Sequence, residues 1–405
     1  MKMTEQNKGR VSRGRRHGRV TGLALALGAL LASVLIGQGQ GVAASGDAAR
    51  QLAAGEGAAF AMTNKTGDNR IVRYRRAADG TLTRVGSVST HGFGQGVDLD
   101  TQGALRLSSD HRFLYAPNPG SDDVTVFAVR GTQLTFLQKV PAGDQPNSLA
   151  LHDDLLYVLD GSVAGNGVLG FRVAANGTLT KLQGSFRRLS SPIAVPGDVE
   201  FSPDGRLLLV TQKTTAVTLS PRIAIDAFQI GRDGYASATP TRNASHGVRP
   251  FSLAFRNNGQ LVVAESFDAS DGRSALSSYS VSPTGALSTV SGSVRNGQTD
   301  TCWVVVTKDG QYAYTANFGS GTISSYRYDY QGRVQLLNGK AAFTGLLSQP
   351  VDLALSADSH YLYLLLRGTG GVAGFEIQRG GTLRPLGTVT GGLPVADGSS
   401  GLAAY

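Results

Sequence analysis

Five side chains in this sequence could share one hydrolytic reaction. Glu200 in GDVEF and Glu265 in VAES are carboxylates in strand-like runs, and either could take a proton from water. Arg106 in ALRLS and Arg249 in HGVRP could hold the oxyanion that forms when that water adds to a carbonyl. His246, three residues before Arg249, could act as a base or orient one. Asn147, Asp198 and Asp352, in PNSLAL, PGDVEF and PVDLAL, and His91, in STHGFGQG, add polar groups able to bind a ligand. Each has a plainer alternative. A charge in an apolar run also serves as one half of an internal ion pair or as a solvated channel wall, because an unpaired buried charge is costly. A loop histidine beside glycine is often simply exposed.

Other motifs carry less chemistry. Gly165, Gly167 and Gly170 match G-x-G-x-x-G, but a dinucleotide site needs a helix to open behind the glycines, and here the strand-like VLGFRV follows. In YTANFGSGTISSYRY (314–328) the glycines lie between two strand-like runs. They are read as a hairpin turn, since a phosphate loop would feed a helix N-terminus. Asp122-Asp123 and Asp153-Asp154 lack the ligand spacing of a calcium loop. The single cysteine, Cys302 in TDTCWVVVT, excludes an internal disulfide and reads as a buried thiol. No G-x-S-x-G elbow, H-E-x-x-H or Cys/His cluster appears, so neither a metal nor a cofactor is expected.

A repeat must position these residues. The runs FAMTN, FLYAPN, LLYVLD, LLLVTQ, LVVAES, YAYTAN and YLYLLL end at Asn64, Asn118, Asp160, Gln212, Ser266, Asn317 and Leu366, at intervals of about 50 residues. A second strand-like run follows each, as in DVTVFAV and TISSYRY, and most units add a turn and a third run, as in NGTLTKL. A short apolar segment such as NSLAL or FSLAF precedes every unit but the first. No helical periodicity intervenes after the first 44 residues. Four strands in each of seven units predict an all-β fold, a seven-bladed β-propeller. The first unit lacks its leading segment, and the chain ends in SSGLAAY, which has that segment's pattern. Residues 400–405 are therefore expected to form the innermost strand of the first blade and lock the ring, leaving no open edge. Arg106 and Glu200 share a first-strand position with Ala150, Ala254, Val305, Ala354 and Ala404 of the other units, which directs both charges at the central funnel.

Residues 1–44 stand apart. Seven cations precede an apolar run, Val20 to about Ile36, and then small residues at Val42 and Ala44. That order is a secretory signal peptide, cut after Ala44, with the propeller over 45–405. An uncleaved anchor is the alternative, for a run at the lower length limit for crossing a bilayer. Arg15-Arg16 keeps the twin-arginine route open beside Sec. The leader holds +6 of the chain's +9, so about +3 remains and no basic stripe points to nucleic acid. The expectation is a secreted or periplasmic protein without stable membrane insertion after cleavage, able to take a small-molecule ligand; any protein partner is left open.

The frame SPDG-R-LLLV (202–210), the strand YTAN, the strand SSYRY and the turn-strand GTL resemble the seven-bladed propeller lactonases, which include 6-phosphogluconolactonase-type and carboxymuconate-lactonising enzymes. The resemblance covers nearly all of 57–405. It implies a propeller that opens a small lactone by general-base attack of water, with no cofactor. The family pattern also carries His, or Arg followed by His, just after an inner-strand proline. Here Pro146, Pro196, Pro250 and Pro350 lead to Asn147-Ser148, Gly197-Asp198, Phe251-Ser252 and Val351-Asp352, and Arg249 precedes its proline. Glu265 lies two residues before the family's glutamate. These departures keep a second class of function in view, a non-catalytic binding or scaffold propeller outside the cytoplasm.

Overall fold

A strand packed between two neighbouring sheets must be apolar on both faces. The runs that end each repeat meet that demand: Leu155–Asp160 and Leu207–Gln212 are buried along their whole length. Outermost strands such as Leu82–Ser89 are half-buried or exposed throughout. In the computed structural model these strands form seven antiparallel sheets. The structure describes residues 53–163, 165–191, 193–213 and 223–405; the leader and its cut site lie outside them.

Six sheets have four strands, five of them in chain order and blade 1 opened by the last strand of the chain, and in blade 3 the outermost strand is split into Leu179–Lys181 and Arg187–Arg188. The innermost strands, from blade 1 to blade 7, are Leu402–Ala404, Arg106–Leu107, Pro146–His152, Pro196–Phe201, Pro250–Phe255, Thr301–Val306 and Pro350–Leu355. Each touches the next around a closed circuit. The one helical element among the described residues is a single 3-10 turn, Phe267–Ala269.

Closure follows the expectation. Leu402–Ala404 pairs antiparallel with Ala59–Ala61, and Tyr405 N donates to Ala58 O at 3.0 Å. A ring of side-chain hydrogen bonds then joins every blade to its successor. The acceptors are the carbonyls of seven glycines, Gly80, Gly131, Gly177, Gly234, Gly285, Gly332 and Gly381, one in each turn between a third and an outermost strand, and all at positive φ. The donors are Tyr363, Tyr405, Tyr115, Tyr157, Asn243, Gln260 and Tyr314, at 2.6–3.1 Å. The left-handed turn lets the carbonyl face the neighbouring blade, and glycine adopts it without a side-chain clash. Tyr405 therefore makes the junction from blade 1 to blade 2 as the other donors make theirs.

Register corrects two details. Phe60 pairs with Ala403 as Tyr363 pairs with Ala354, so Ala403, not Ala404, is the counterpart of Arg106 and Glu200. Glu265 pairs with Ala275 as Asn317 pairs with Thr322, so Glu265, not Ser266, ends its strand; in blade 1 the equivalent is Thr63, not Asn64. Both shifts arise because gap-free matching of residue types cannot see where a strand stops pairing.

Deleting Ser400–Tyr405 would expose the edge of Gly57–Met62 and remove the donor to Gly131. We expect such a chain to lose its cooperative thermal transition, measured by circular dichroism; melting at the full-length temperature would contradict this account of closure.

Candidate functional site

Seven innermost strands turn an unpaired backbone edge to the axis, and buried amide groups need partners. The segment leading into blade 2 supplies several. Thr101 Oγ1 and Gln102 N donate to Gly197 O in blade 4 at 2.6 and 3.2 Å. Gln102 Nε2 donates to Leu253 O in blade 5 at 3.1 Å, and Gln102 Oε1 accepts Val304 N of blade 6 at 2.9 Å. Gly103 O accepts Leu149 N of blade 3 at 3.0 Å, and Thr101 O accepts Trp303 Nε1 at 2.9 Å. Trp303 is buried against Phe251, ring centres 5.0 Å apart. This plug separates two polar groups along the axis.

On one side stand Arg106, Asp198, Glu200 and Asp352. Arg106 reaches over the small Ala150 of blade 3, donates through Nε to Leu149 O and ion-pairs with Glu200. The two charges that interrupt a ring of small residues thus neutralise one another. Asp198 accepts Ser148 Oγ at 3.2 Å and Leu253 N at 2.9 Å. Burial, and then the Glu200 charge, push its carboxyl well up from the usual range. Asp352 accepts Gly401 N at 2.6 Å, which ties blade 7 to the closing strand. Burial raises it to about 7.

On the loop side lie Asp98, Asp100, Lys213, Arg249, Asp300 and Arg367. Asp98 Oδ2 is 2.5 Å from Arg367 Nη1, and its Oδ1 accepts Asp100 N at 2.9 Å. Arg367 also donates to Gln349 Oε1 and lies 4.9 Å over the Phe318 ring. Asp100 takes Lys213 Nζ and, at 3.3 Å, Arg249 Nη2. Burial acts to raise Asp100, but the two cations outweigh it and hold the carboxyl below its usual range. Burial wins at Asp98 and Asp300, and both are raised. Asp300 makes no ion pair among the described residues; its hydrogen-bond partner is Cys302 Sγ at 3.2 Å. Burial pushes that thiol well above its ordinary value, so it stays protonated. Arg249 Nε is buried without a partner.

Backbone strain gathers here. Gln145, Arg249, Asp300 and Gln349 each stand immediately before an innermost strand, with φ of 55°, 57°, 58° and 46°. A left-handed residue with a side chain costs roughly 1–2 kcal/mol. Such strain concentrates where side-chain placement matters to function.

The structure divides the sequence candidates three ways. Arg106, Asp198, Glu200 and Asp352 come together, and Arg249 joins the loop-side group. Glu265, His246 and His91 lie away from both. Glu265 ends the second strand of blade 5, fully buried, and accepts Gly247 N, Ser277 Oγ, Ser293 Oγ and Ser245 Oγ at 2.6–3.3 Å. His246 is exposed, with Nδ1 2.9 Å from Ser293 Oγ. His91 packs edge-on against Phe136 of the outermost strand of blade 2, at 4.8 Å. Asn147 is buried beside Gly161 with its Oδ1 unpartnered. Asp98, Asp100, Lys213, Asp300 and Arg367 escaped the sequence reading. They come from separate loops, and the available signal was positional: a charge directly before an inner strand, as in Arg249-Pro250 and Asp300-Thr301. Among the described residues no group of three His, Cys, Asp or Glu is arranged to hold a metal.

The sequence matches the family described as Lactonase, 7-bladed beta-propeller, over residues 38–196 and 224–349. The chain belongs to this family. None of the curated proteins matches it. A Lactobacillus plantarum protein is 17% identical with a TM-score of 0.66, over 86% of this chain and 98% of that one. The periplasmic gluconolactonase of Pseudomonas aeruginosa is 16% identical with a TM-score of 0.61, over 85% and 99%. A Bacteroides fragilis protein assigned provisionally as a 6-phosphogluconolactonase is 17% identical with a TM-score of 0.63, over 87% and 98%. At these identities the likeness to solved structures concerns the fold.

Two expectations follow for this lactonase propeller. Arg106→Met leaves Glu200 beside Asp198 without its cation, and should lower stability in urea unfolding by about 2 kcal/mol once partial exposure is allowed for. The double variant with Glu200→Leu should recover most of that loss. Because Asp352 is raised, the folded state holds its proton more tightly than the unfolded state. Its contribution is complete below about pH 4 and lost as pH rises through about 7. Asp352→Asn should therefore flatten the fall in melting temperature across that window, and an unchanged slope would contradict the assignment.

Proposed function

We propose that the loop-side group opens a small lactone by general-base attack of water. The observation that carries this reading is Arg249: its Nε is buried without a partner, its backbone is left-handed, and electrostatically it faces Asp300. Asp300, unpaired and with a raised carboxyl, is the base. It takes a proton from water as the water oxygen bonds to the lactone carbonyl carbon. Arg249 donates to the oxyanion through Nε, which has no protein partner, while Asp100 holds the guanidinium through Nη2. Collapse of the tetrahedral adduct breaks the ring C–O bond, and Asp300 returns its proton to the leaving alkoxide. The product is the hydroxy acid. Lys213 and Arg367 hold Asp100 and Asp98, so their charges serve position rather than reaction.

We further infer that the chain acts outside the cytoplasm. The support is the leader reading together with the fold it shares with a periplasmic gluconolactonase. N-terminal sequencing of protein recovered from the periplasm or medium should begin at Ser45; an intact leader on soluble cytoplasmic protein would argue against export.

The chemical test is a pH-stat assay with unsubstituted and sugar lactones. Asp300→Asn should lower kcat by 100-fold or more with a melting temperature near wild type, and Arg249→Met should lower kcat by about 100- to 1,000-fold. Glu265→Gln, where it folds, and Glu200→Gln should retain most activity. Loss in those two with Asp300→Asn active would move the base to a glutamate. Lactones that raise the melting temperature but are never turned over would favour the binding-module alternative.

A further inference from the structure

The surroundings of the loop-side group narrow its substrate, an inference that rests on the lactonase reading above. Three cations, Lys213, Arg249 and Arg367, face three carboxylates, Asp98, Asp100 and Asp300. Asp98 and Asp100 already engage all three cations. The group therefore offers no surplus positive charge to a phosphate or a second carboxylate, and a neutral ring fits it best.

Beside this group the surface becomes apolar. Asp98 and Gln349, the partners of Arg367, each follow exposed aliphatic residues: Val97 is 59% exposed, Leu346 73% and Leu347 83%. A third loop adds Val395 at 65% exposure, and its neighbour Ala396 donates its N–H to Arg367 O at 3.0 Å. The loops interlock. Gly368 packs against Leu347 O, Gly370 against Val395 Cγ2, and Gly398 against Val97. Scattered exposed aliphatic residues need no explanation. Four drawn from three loops around one arginine do. Together they expose roughly 500 Å², short of the ~800 Å² that each partner contributes to a stable protein interface. The patch is also linked to the axial group by a run of polar contacts, because Asp98, next to Val97, accepts Asp100 N, and Asp100 binds Arg249. A single ligand placed with its carbonyl at Arg249 would extend over it.

We propose that this lactonase takes uncharged lactones bearing an alkyl chain. The ring lies between Asp300 and Arg249, and the chain runs along Val97, Leu346, Leu347 and Val395.

The test is kcat/KM for γ-lactones of rising chain length, from γ-butyrolactone to γ-dodecalactone. Each of the first several methylenes should raise kcat/KM about threefold, in line with their removal from water. A phosphorylated sugar lactone should be turned over at least 100-fold more slowly than the best of the series. The double variant Leu346→Ser, Leu347→Ser should flatten the dependence, the long-chain lactones losing most of their advantage over γ-butyrolactone. Both residues are exposed, so the variant should fold as wild type does. A flat wild-type series with γ-butyrolactone hydrolysed would overturn the alkyl preference and leave the lactonase reading standing. A dependence that survives the double variant would overturn this subsite. No turnover of any lactone would overturn both.

Discussion

A propeller has a problem at its centre. Each blade ends, on the inside, in a strand with one unpaired edge, and seven such edges face a narrow axis where water cannot satisfy all of them. Here the partners are side chains and a single crossing segment. Gln102 alone bonds to backbone groups of three blades, Gly197, Leu253 and Val304. Asp198 takes Leu253 N, Asp352 takes Gly401 N, and Arg106 donates to Leu149 O. Most of the buried polarity at the axis therefore exists to pair backbone. It draws carboxylates inward, and the carboxylates draw in the arginine.

That constraint sorts the charges. A carboxylate whose oxygens are filled by protein donors is structural whatever its burial; one left with a weak partner can do chemistry. Asp352 and Glu265 belong to the first kind. Asp300, with only a thiol on it, belongs to the second. The same distinction separates Arg106, engaged by both Leu149 O and Glu200, from Arg249, which keeps an unused N–H. The plug also limits where a ligand can lie, because Thr101, Gln102 and Trp303 close the axis between the two polar groups.

The fold was legible because it is periodic. Seven units of four strands, the missing first strand and the orphan SSGLAAY all state the ring in one dimension. The coupling of Arg106 to Glu200 was half legible: both interrupt a series of small residues, but that they lie two blades apart with only Ala150 between them needs the circle. The loop-side group was barely legible. Asp98 and Asp100 precede the plug, Lys213 follows a second strand, Arg249 and Asp300 precede inner strands, and Arg367 follows the second strand of blade 7. No spacing connects them, since what they share is an end of the propeller rather than a stretch of chain.

Glu265 shows why residue type alone misleads at such sites. It is an acid in an apolar strand, a natural choice for a base, yet its neighbours in the repeat are Asn118, Asp160, Gln212 and Asn317. Those residues do one job, tying the loop that enters the blade to the third strand from the end of the second: Asn317, for example, accepts Asn296 Nδ2 of that loop at 3.2 Å and donates to Thr322 and Ser324 of the third strand. Glutamate does that job in blade 5, with three serines and a backbone N–H standing where cations are absent. Asp300 occupies a different recurrent position, the left-handed residue before an inner strand, which recurs in four blades as Gln145, Arg249, Asp300 and Gln349 without a common partner. A repeat position that always binds the same thing is architecture. One that holds strained, dissimilar side chains around a shared axis is where chemistry can be placed without disturbing the ring.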